Sequence, residues 1–183
     1  MATWSAGSLR RPENEMTSLA VPAVWRDWVS PRDVRRVGDL VAATDFFNRE
    51  EQEIAIELVH ERLERGAASG YSFLFAEEGA DLTGFACYGH TPGTAASYDL
   101  YWIVVAPRAQ RTGIGSRLLC EIESRVRVQG GVHIWVETSG RTQYQPTRDF
   151  YLHRGYRRAA RLRDFYAPGD DKLILTKRLH EPT

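Results

Sequence analysis

The segment Ala106-Pro107-Arg108-Ala109-Gln110-Arg111-Thr112-Gly113-Ile114-Gly115-Ser116 carries the residue types that hold an anion. Two glycines let a backbone approach a ligand closely. They stand where a helix begins, and the first N–H groups of a helix lack partners and carry partial positive charge. Arg108, Arg111 and Arg117 add full charge nearby. Such a turn binds phosphate. It reads equally well as a plain strand-to-helix turn with solvated arginines, and the spacing leaves both readings open. Two other phosphate motifs are excluded. No G-x-x-x-x-G-K-[ST] is present, so this is not a P-loop. Leu118 fills the third-glycine place of G-x-G-x-x-G. The turn also comes after four strand-like segments instead of opening a βαβ unit, which argues against a dinucleotide fold.

Periodicity predicts the elements that position this turn. Ala23–Val29 alternates weakly and reads as a first strand. Ser30-Pro31-Arg32-Asp33 reads as a helix start, with Ser30 as cap, Pro31 in the first position and Asp33 completing a capping box. Val34, Val37, Leu40 and Val41 come next at helical spacing. A second helix is predicted from near Asn48 to Gly66, with Ile54, Ile56, Leu58, Val59 and Leu63 as its apolar face. Segments 71–77 and 82–88 read as a hairpin around Gly79–Asp81, and 89–97 as a loop. Tyr98–Val105 is the strongest strand signal, apolar toward its end as in a central strand covered on both faces. A helix at about 113–128 has Leu118, Leu119, Ile122 and Val126 as its stripe. A strand at 132–137, a short helix at about 145–154 and strands at about 156–166 and 172–179 complete the chain. The predicted order is β-α-α-β-β-β-α-β-α-β-β.

Val105 through Gly115 resembles the acetyl-CoA loop of the GNAT superfamily of N-acetyltransferases. Gln110, Gly113 and Gly115 fit that family's [QR]-x-x-G-x-[GA] pattern. Phe150-Tyr151-Leu152-His153-Arg154-Gly155-Tyr156 resembles its F-Y-x-x-x-G-[FY] signature, and Glu137-Thr138-Ser139 resembles the end of its fifth strand. The order of elements matches from about residue 23 to 180. The resemblance implies an α/β (α+β) GNAT fold. Its central sheet is mixed but mostly antiparallel, has about seven strands splayed between the fourth and fifth, and is flanked by about four helices. It also implies one N-acetyltransferase domain over 23–183, preceded by a flexible tail at 1–22. The implied reaction is direct transfer of an acetyl group from acetyl-CoA to a primary amine.

That chemistry has three needs. The amine must lose a proton, the thioester oxygen must be stabilised, and the leaving sulfur benefits from a proton. The resemblance gives Tyr151 the general-acid position, and a phenol is protonated at neutral pH. It puts the N–H that meets the thioester at Ile103 and the pantetheine pairing at Val105, with Val104 between them. It makes Gln110, Arg111, Thr112, Gly113, Ile114, Gly115 and Ser116 the diphosphate loop. Two carboxylates compete for the base. Asp99 lies four residues before Ile103 and is favoured; Glu137 ends the fifth strand. The family's asparagine ahead of the last helix is missing from 141–148. Thr138, Gln145 or Arg148 could substitute, and Arg148 is expected to face either a CoA phosphate or solvent.

Composition bounds the alternatives. The chain has 183 residues, 43% hydrophobic and 26% charged, as a soluble globular domain does. Its net charge of zero hides a division. Residues 1–100 carry 9 Arg against 16 Asp+Glu, a net of −7; residues 101–183 carry 13 Arg and 2 Lys against 8 Asp+Glu, a net of +7. The basic half holds the proposed phosphate loop, and the acidic half suits a cationic acceptor, either a small amine or a peptide amine. Cys87 and Cys120 form no C-x-x-C, which favours a reducing cytoplasm and offers neither a metal site nor an acetyl-cysteine intermediate. No membrane span is expected. The arginines at 154–163 read as a solvated strand face, since no aromatic lies between Arg157 and Arg163 to stack a base. A homodimer is frequent in the family. The competing functional reading is a non-catalytic acyl-CoA-binding regulatory module, which would need neither Tyr151 nor Asp99.

Overall fold

A computed structural model describes residues 24–179. The expected tail at 1–22 lies outside the described residues. Seven strands form one sheet: β1 (Val24–Arg26), β2 (Ser72–Glu78), β3 (Asp81–His90), β4 (Ser97–Val105), β5 (His133–Ser139), β6 (Arg157–Ala167) and β7 (Asp170–Arg178). Four α-helices accompany them: α1 (Pro31–Ala43), α2 (Arg49–Arg65), α3 (Ile114–Val128) and α4 (Gln145–Leu152). The sheet order is β1-β2-β3-β4-β5-β7-β6, and only β4–β5 is parallel. That pair needs a crossover, which α3 supplies, whereas β2–β3 and β6–β7 close through tight turns. The element order and the mixed, mostly antiparallel sheet match the expectation. Boundaries shift by a few residues: β1 ends three residues early, and β3 runs two residues into the expected 89–97 loop.

The core arises from continuous apolar runs. Phe73, Leu74, Phe75 and Ala76 on β2 and Phe85, Ala86 and Cys87 on β3 are all buried, so both faces of these strands are covered. α3 buries Leu118, Leu119, Ile122 and Val126, its expected stripe. α2 departs from expectation: Ala55 and Val59 are its buried residues, and Ile54 is exposed at 43%. β4 also departs. Tyr98, Leu100 and Val104 are buried, but Tyr101 is exposed and Ile103 and Val105 are only half-buried. The strand is therefore not covered on both faces toward its end. β6 is an edge strand, exposed almost throughout. Arg157, Arg158, Arg161 and Arg163 stand on it, where charge discourages pairing with another chain.

One ionic cluster joins the N-terminal strand to the rest. Arg26 on β1 donates to both Asp33 oxygens at 2.7 and 2.9 Å and to Glu77 on β2 at 2.9 Å. Its guanidinium lies 4.2 Å from the Phe75 ring centre. The sequence pattern marks Asp33 only as part of a cap. It does accept from the Ser30 N–H (2.8 Å) and hydroxyl (2.7 Å), but it is fully buried and is also the ion partner of Arg26. Burial raises the pKa of Asp33 and Glu77, and hydrogen bonds from Arg26, with Ser30 on Asp33 and Arg36 on Glu77, more than offset it. Both carboxyls therefore sit below the ordinary carboxylate range. The stability they add is complete above their unfolded values, about 4, and is lost as pH falls through the depressed folded values. Asp33→Asn should lower unfolding free energy by about 3 kcal/mol at neutral pH. In urea titrations at several pH values the gap to the parent should narrow below about pH 4. A gap that stays constant into strong acid would remove the linkage.

Candidate active site

β4 and β5 pair over three registers only: Ser97 with His133, Tyr98 with Ile134 and Asp99 with Trp135. Beyond Asp99 the two strands diverge. β5 goes on to pair with β7 from His133 through Ser139, and β4 stays with β3. A β-bulge marks the divergence. Cys87 opposes Trp102 and Tyr88 opposes Leu100, so Tyr101 has no partner on β3. A bulge bends the strand that carries it and re-aims the residues beyond it. It also breaks the alternation that would have put Asp99, Tyr101 and Ile103 on one face. Past the bulge one bond fixes the direction of the backbone groups: the Ala106 N–H donates to the Thr83 carbonyl on β3 at 2.9 Å. By alternation Trp102 and Val104 also turn to β3, and the N–H and C=O groups of Ile103 and Val105 turn to the gap. Gln110 confirms the direction at Val105, whose carbonyl accepts from the Gln110 side-chain amide at 3.2 Å.

A cleft of about 980 Å³ fills this gap. Its floor is Leu100–Val105 and Val136–Ser139. Phe46 and Phe47, between α1 and α2, form one wall; Phe47 meets Trp102 at 4.9 Å and Phe46 meets Tyr144 at 4.7 Å between ring centres. The Tyr144 hydroxyl donates to Glu51 at 3.2 Å, joining the start of α2 to the segment before α4. Glu50, Glu51, Glu137 and Asp170 line the cleft, together with Tyr166 and Ala167 from the β6–β7 hairpin. Its lining cation, Arg141, is already paired with Asp170 at 2.9 Å. Sequence reasoning misses Tyr144, Glu51, Asp170 and the hairpin tip. Tyr144 and Glu51 are 93 positions apart, so no local pattern could join them.

The glycine turn lies beyond the C-terminal end of β4, where parallel strands present their ligands. Gly113 has φ +94°, and Arg111 has φ +63°. Left-handed residues within such a turn point successive N–H groups to one side. Thr112 donates its hydroxyl to the Ala109 carbonyl at 2.7 Å and Ile114 is buried in the core, so only their backbones can face a ligand. Gly115 packs beside Phe150 and Val105. The expected basic surround is rearranged. Arg108 turns away to Asp81 at 2.9 Å, and Arg117 lies over the Trp25 ring at 5.2 Å. Arg154, from beyond α4, instead reaches the Ser116 hydroxyl.

Tyr151 lines the cleft from α4. It is 3% exposed and packs against Phe150 and Tyr156. Its hydroxyl has no hydrogen-bond partner among the described residues. Burial pushes its pKa well above the usual tyrosine value. Asp99 lies at the vertex of the splay. It accepts from the Thr91 hydroxyl at 2.7 Å and borders a smaller cavity of about 220 Å³ with Leu100, Tyr101, Trp135 and Glu137. Leu100, Tyr101 and Glu137 border both cavities, so the two adjoin. Glu137 is matched by the ammonium of Lys172. The Thr138 hydroxyl borders the cleft, buried and without a partner among the described residues. Arg148 corrects an expectation. It is buried, and it donates to the carbonyls of Ser139 (2.7 Å) and Arg141 (2.9 Å) and to Gln145 (2.7 Å). It ties the end of β5 to α4 and faces neither phosphate nor solvent. Among the described residues no group of His, Cys, Asp and Glu could hold a metal ion, and no helix is long and apolar enough to cross a membrane.

Comparison with known proteins agrees with this geometry. A family model described as Acetyltransferase (GNAT) domain matches residues 69–158. A crystal structure of a GNAT-family acetyltransferase from Desulfovibrio desulfuricans is 46% identical with a TM-score of 0.84, covering 86% of this chain and 99% of its own. An aminoglycoside 6'-N-acetyltransferase complexed with coenzyme A aligns with a TM-score of 0.69 at 18% identity, covering 87% of this chain and 99% of its own. The ribosomal-protein-S18-alanine N-acetyltransferase from Escherichia coli gives 0.69 at 18% identity, covering 88% and 96%. These last two share the fold. No curated protein matches the chain in sequence.

The two glycines of the turn should answer differently to substitution. A Cβ on Gly113 would meet nothing within 4 Å, but its φ is one that other residues rarely adopt. A Cβ on Gly115 would meet Phe150 at 3.4 Å and Val105 at 3.5 Å, which is ordinary contact. Gly113→Ala should cost about 1–2 kcal/mol in unfolding free energy, and Gly115→Ala within about 0.5 kcal/mol of zero. Chemical denaturation of both variants checks the contrast. Equal losses would show that conformation at Gly113 is not what the turn requires.

Proposed function

Starting from the fact that this chain belongs to the GNAT family of acetyltransferases and is an acyltransferase, we propose that it moves an acetyl group from acetyl-CoA directly to a cationic primary amine. One observation carries the reading: the backbone groups of Ile103 and the N–H of Val105 turn to the cleft that the Tyr151 hydroxyl borders, and that hydroxyl has no partner among the described residues. The pantetheine arm would lie along this edge of β4. Its diphosphate would meet the N–H groups from Arg111 to Ser116, whose turn has the backbone shape for an anion. Acetyl-CoA supplies the acyl group as a thioester.

The chain's own groups then divide the work. The Ile103 N–H, fixed by β3 pairing on its neighbours, donates to the thioester oxygen as charge develops there. Tyr151 holds its proton at neutral pH because burial disfavours the phenolate. It gives that proton to the departing sulfur. Asp99, rather than Glu137, takes the proton of the attacking ammonium through the smaller cavity. Glu137 already has Lys172 as its counter-charge, whereas Asp99 is held by one neutral hydroxyl. Thr138 stands in for the missing asparagine as a contact to the pantetheine arm, since its hydroxyl is otherwise without a partner. The acceptor enters between Phe46, Phe47 and the β6–β7 hairpin. Glu50 and Glu51 favour a positive charge there, and the aromatic walls take its apolar body. A regulatory CoA sensor would have no use for a buried proton donor in the cleft together with a carboxylate at the vertex of the splay.

Release of free thiol from acetyl-CoA in the presence of a panel of amines tests the reaction. Tyr151→Phe should lower kcat about 100-fold and leave KM for acetyl-CoA within about twofold. An unchanged kcat would overturn the acid. Asp99→Asn should lower kcat about 100-fold. If the full rate survives, the base is elsewhere.

A further inference from the structure

The cleft and its smaller neighbour carry more negative charge than one ammonium can answer. Glu137 and Asp170 are matched by Lys172 and Arg141. Glu50, Glu51 and Asp99 pair with no cation among the described residues. These three stand at two places. Asp99 borders the smaller cavity, and Glu50 and Glu51 line the main cleft from the first turn of α2. Glu51 is fixed there. One of its oxygens accepts from the Asn48 N–H at 2.8 Å, the other from the Tyr144 hydroxyl at 3.2 Å. Both donors are neutral, so the charge is positioned without being cancelled. Tyr144 is itself buried, with its ring against Phe46. Burial, then the charges of Glu137, Asp170 and Glu51, raise the pKa of Tyr166, so the hairpin's ring lies within the field of all three.

The lining between these places is largely apolar. Ile54 follows Glu50 and Glu51 by one turn of α2 and lines the same cleft, exposed. Phe47 and Trp102 line it as well, and the exposed Tyr101 ring borders both cavities. Apart from charge, the cleft is made to hold a polar ligand: the Thr138 hydroxyl borders it, 6% exposed and without a partner among the described residues. We infer that the acceptor is a straight-chain diamine, with its reacting nitrogen at Asp99, its second ammonium at Glu51 and Glu50, and its methylenes along Ile54 and the rings. This rests on the acetyl-transfer reading above. The N–C bond forms as the thioester C–S bond breaks. Two protons leave the reacting nitrogen, one to Asp99 and one replacing the proton that Tyr151 gives to sulfur; the second nitrogen stays an ammonium. A monoamine of equal length would cover Glu51 with apolar chain, and a carboxylate buried without a counter-charge is costly. A peptide would bury carbonyl groups against the same apolar wall. A diamine confines its polar atoms to its ends.

Thiol release from acetyl-CoA by the full chain is measured with a series of straight-chain diamines, with monoamines of equal length and with a lysine-containing peptide. The parent should favour the best diamine over its monoamine by about tenfold or more in kcat/KM, the worth of one charge-assisted contact. Glu51→Gln removes the charge but keeps a carbonyl oxygen and a residue suited to its capping position. It should cut the diamine-to-monoamine ratio about threefold or more, with the loss in KM for the diamine. Glu50→Gln combined with Glu51→Gln should bring the ratio to about one, which covers compensation by the neighbouring carboxylate. Equal kcat/KM for diamines and monoamines in the parent overturns the inference. So does a ratio that both variants leave intact, or a peptide turned over faster than any diamine. Acetyl transfer itself stands in each of those cases. Absence of thiol release with every amine would instead overturn the acetyl-transfer reading.

Discussion

The separation of β4 from β5 after three paired residues is the constraint on which the rest of the molecule depends. Two adjacent strands normally satisfy each other's backbone groups, and giving that up leaves donors and acceptors without partners. Here the loss is confined to the facing edges of β4 after Asp99 and β5 after Trp135, and each strand keeps its other neighbour. The sheet remains whole because β7 inserts beside β5 and closes on it over seven registers. The unpaired edge is left facing a cleft wide enough for another chain-like molecule. A pantetheine arm has amides at intervals and can act as the absent strand. The fold thus creates its binding site by withholding hydrogen bonds that an ordinary sheet would make.

Charge is arranged around that opening, and the zero total of the sequence conceals it. On one side Glu50, Glu51, Glu137 and Asp170 border the cleft, and the Arg141 and Lys172 cations each have a carboxylate partner. On the other side the start of α3 and Arg154 are positive without an acidic partner. Many of the remaining charges are neutralised by pairing. Arg26, Asp33, Arg36 and Glu77 form a closed cluster under β1, Arg108 goes to Asp81, and Arg148 is enclosed by carbonyls. The division into an acidic and a basic half therefore does not map directly onto the cleft, since Glu137 and Asp170 come from the half with net positive charge.

Local signals in the sequence specify most of the fold. Ser30-Pro31 and Asn48 do start helices, and the stripe of α3 is buried as its spacing implies. The glycine turn and the Phe150-Tyr151 pair are readable because each is short and contiguous. Alternation on β4 is where local reading fails. A period of two assumes an unbroken ladder, and the bulge at Tyr101 is set by tertiary pairing with β3, so Tyr101 is exposed at a position that reads as interior. Arg148 misleads for a related reason. An arginine with no nearby acid reads as solvated or ligand-binding, yet three carbonyl and amide oxygens between the end of β5 and the start of α4 hold it in a buried position. The far walls of the cleft are illegible for want of proximity: Tyr144 and Tyr166 come to border it only once α2, α4 and the β6–β7 hairpin are in place.

Backbone groups perform much of the chemistry in this reading. Ile103 and Val105 contribute N–H and C=O groups whose direction is dictated by β3 pairing, so their side chains are free to answer only to packing. The turn at 111–116 likewise depends on the φ of Gly113 more than on the hydroxyl of Thr112, which is engaged with Ala109. Side-chain chemistry is then needed at few places, and each is anchored by a packed neighbour. Tyr151 is wedged between Phe150 and Tyr156, and Asp99 is held at the vertex by Thr91. Phe150 also meets Gly115. A single aromatic ring therefore links the proton donor to the phosphate turn. A change in its packing would disturb both ends of the acyl donor's site at once.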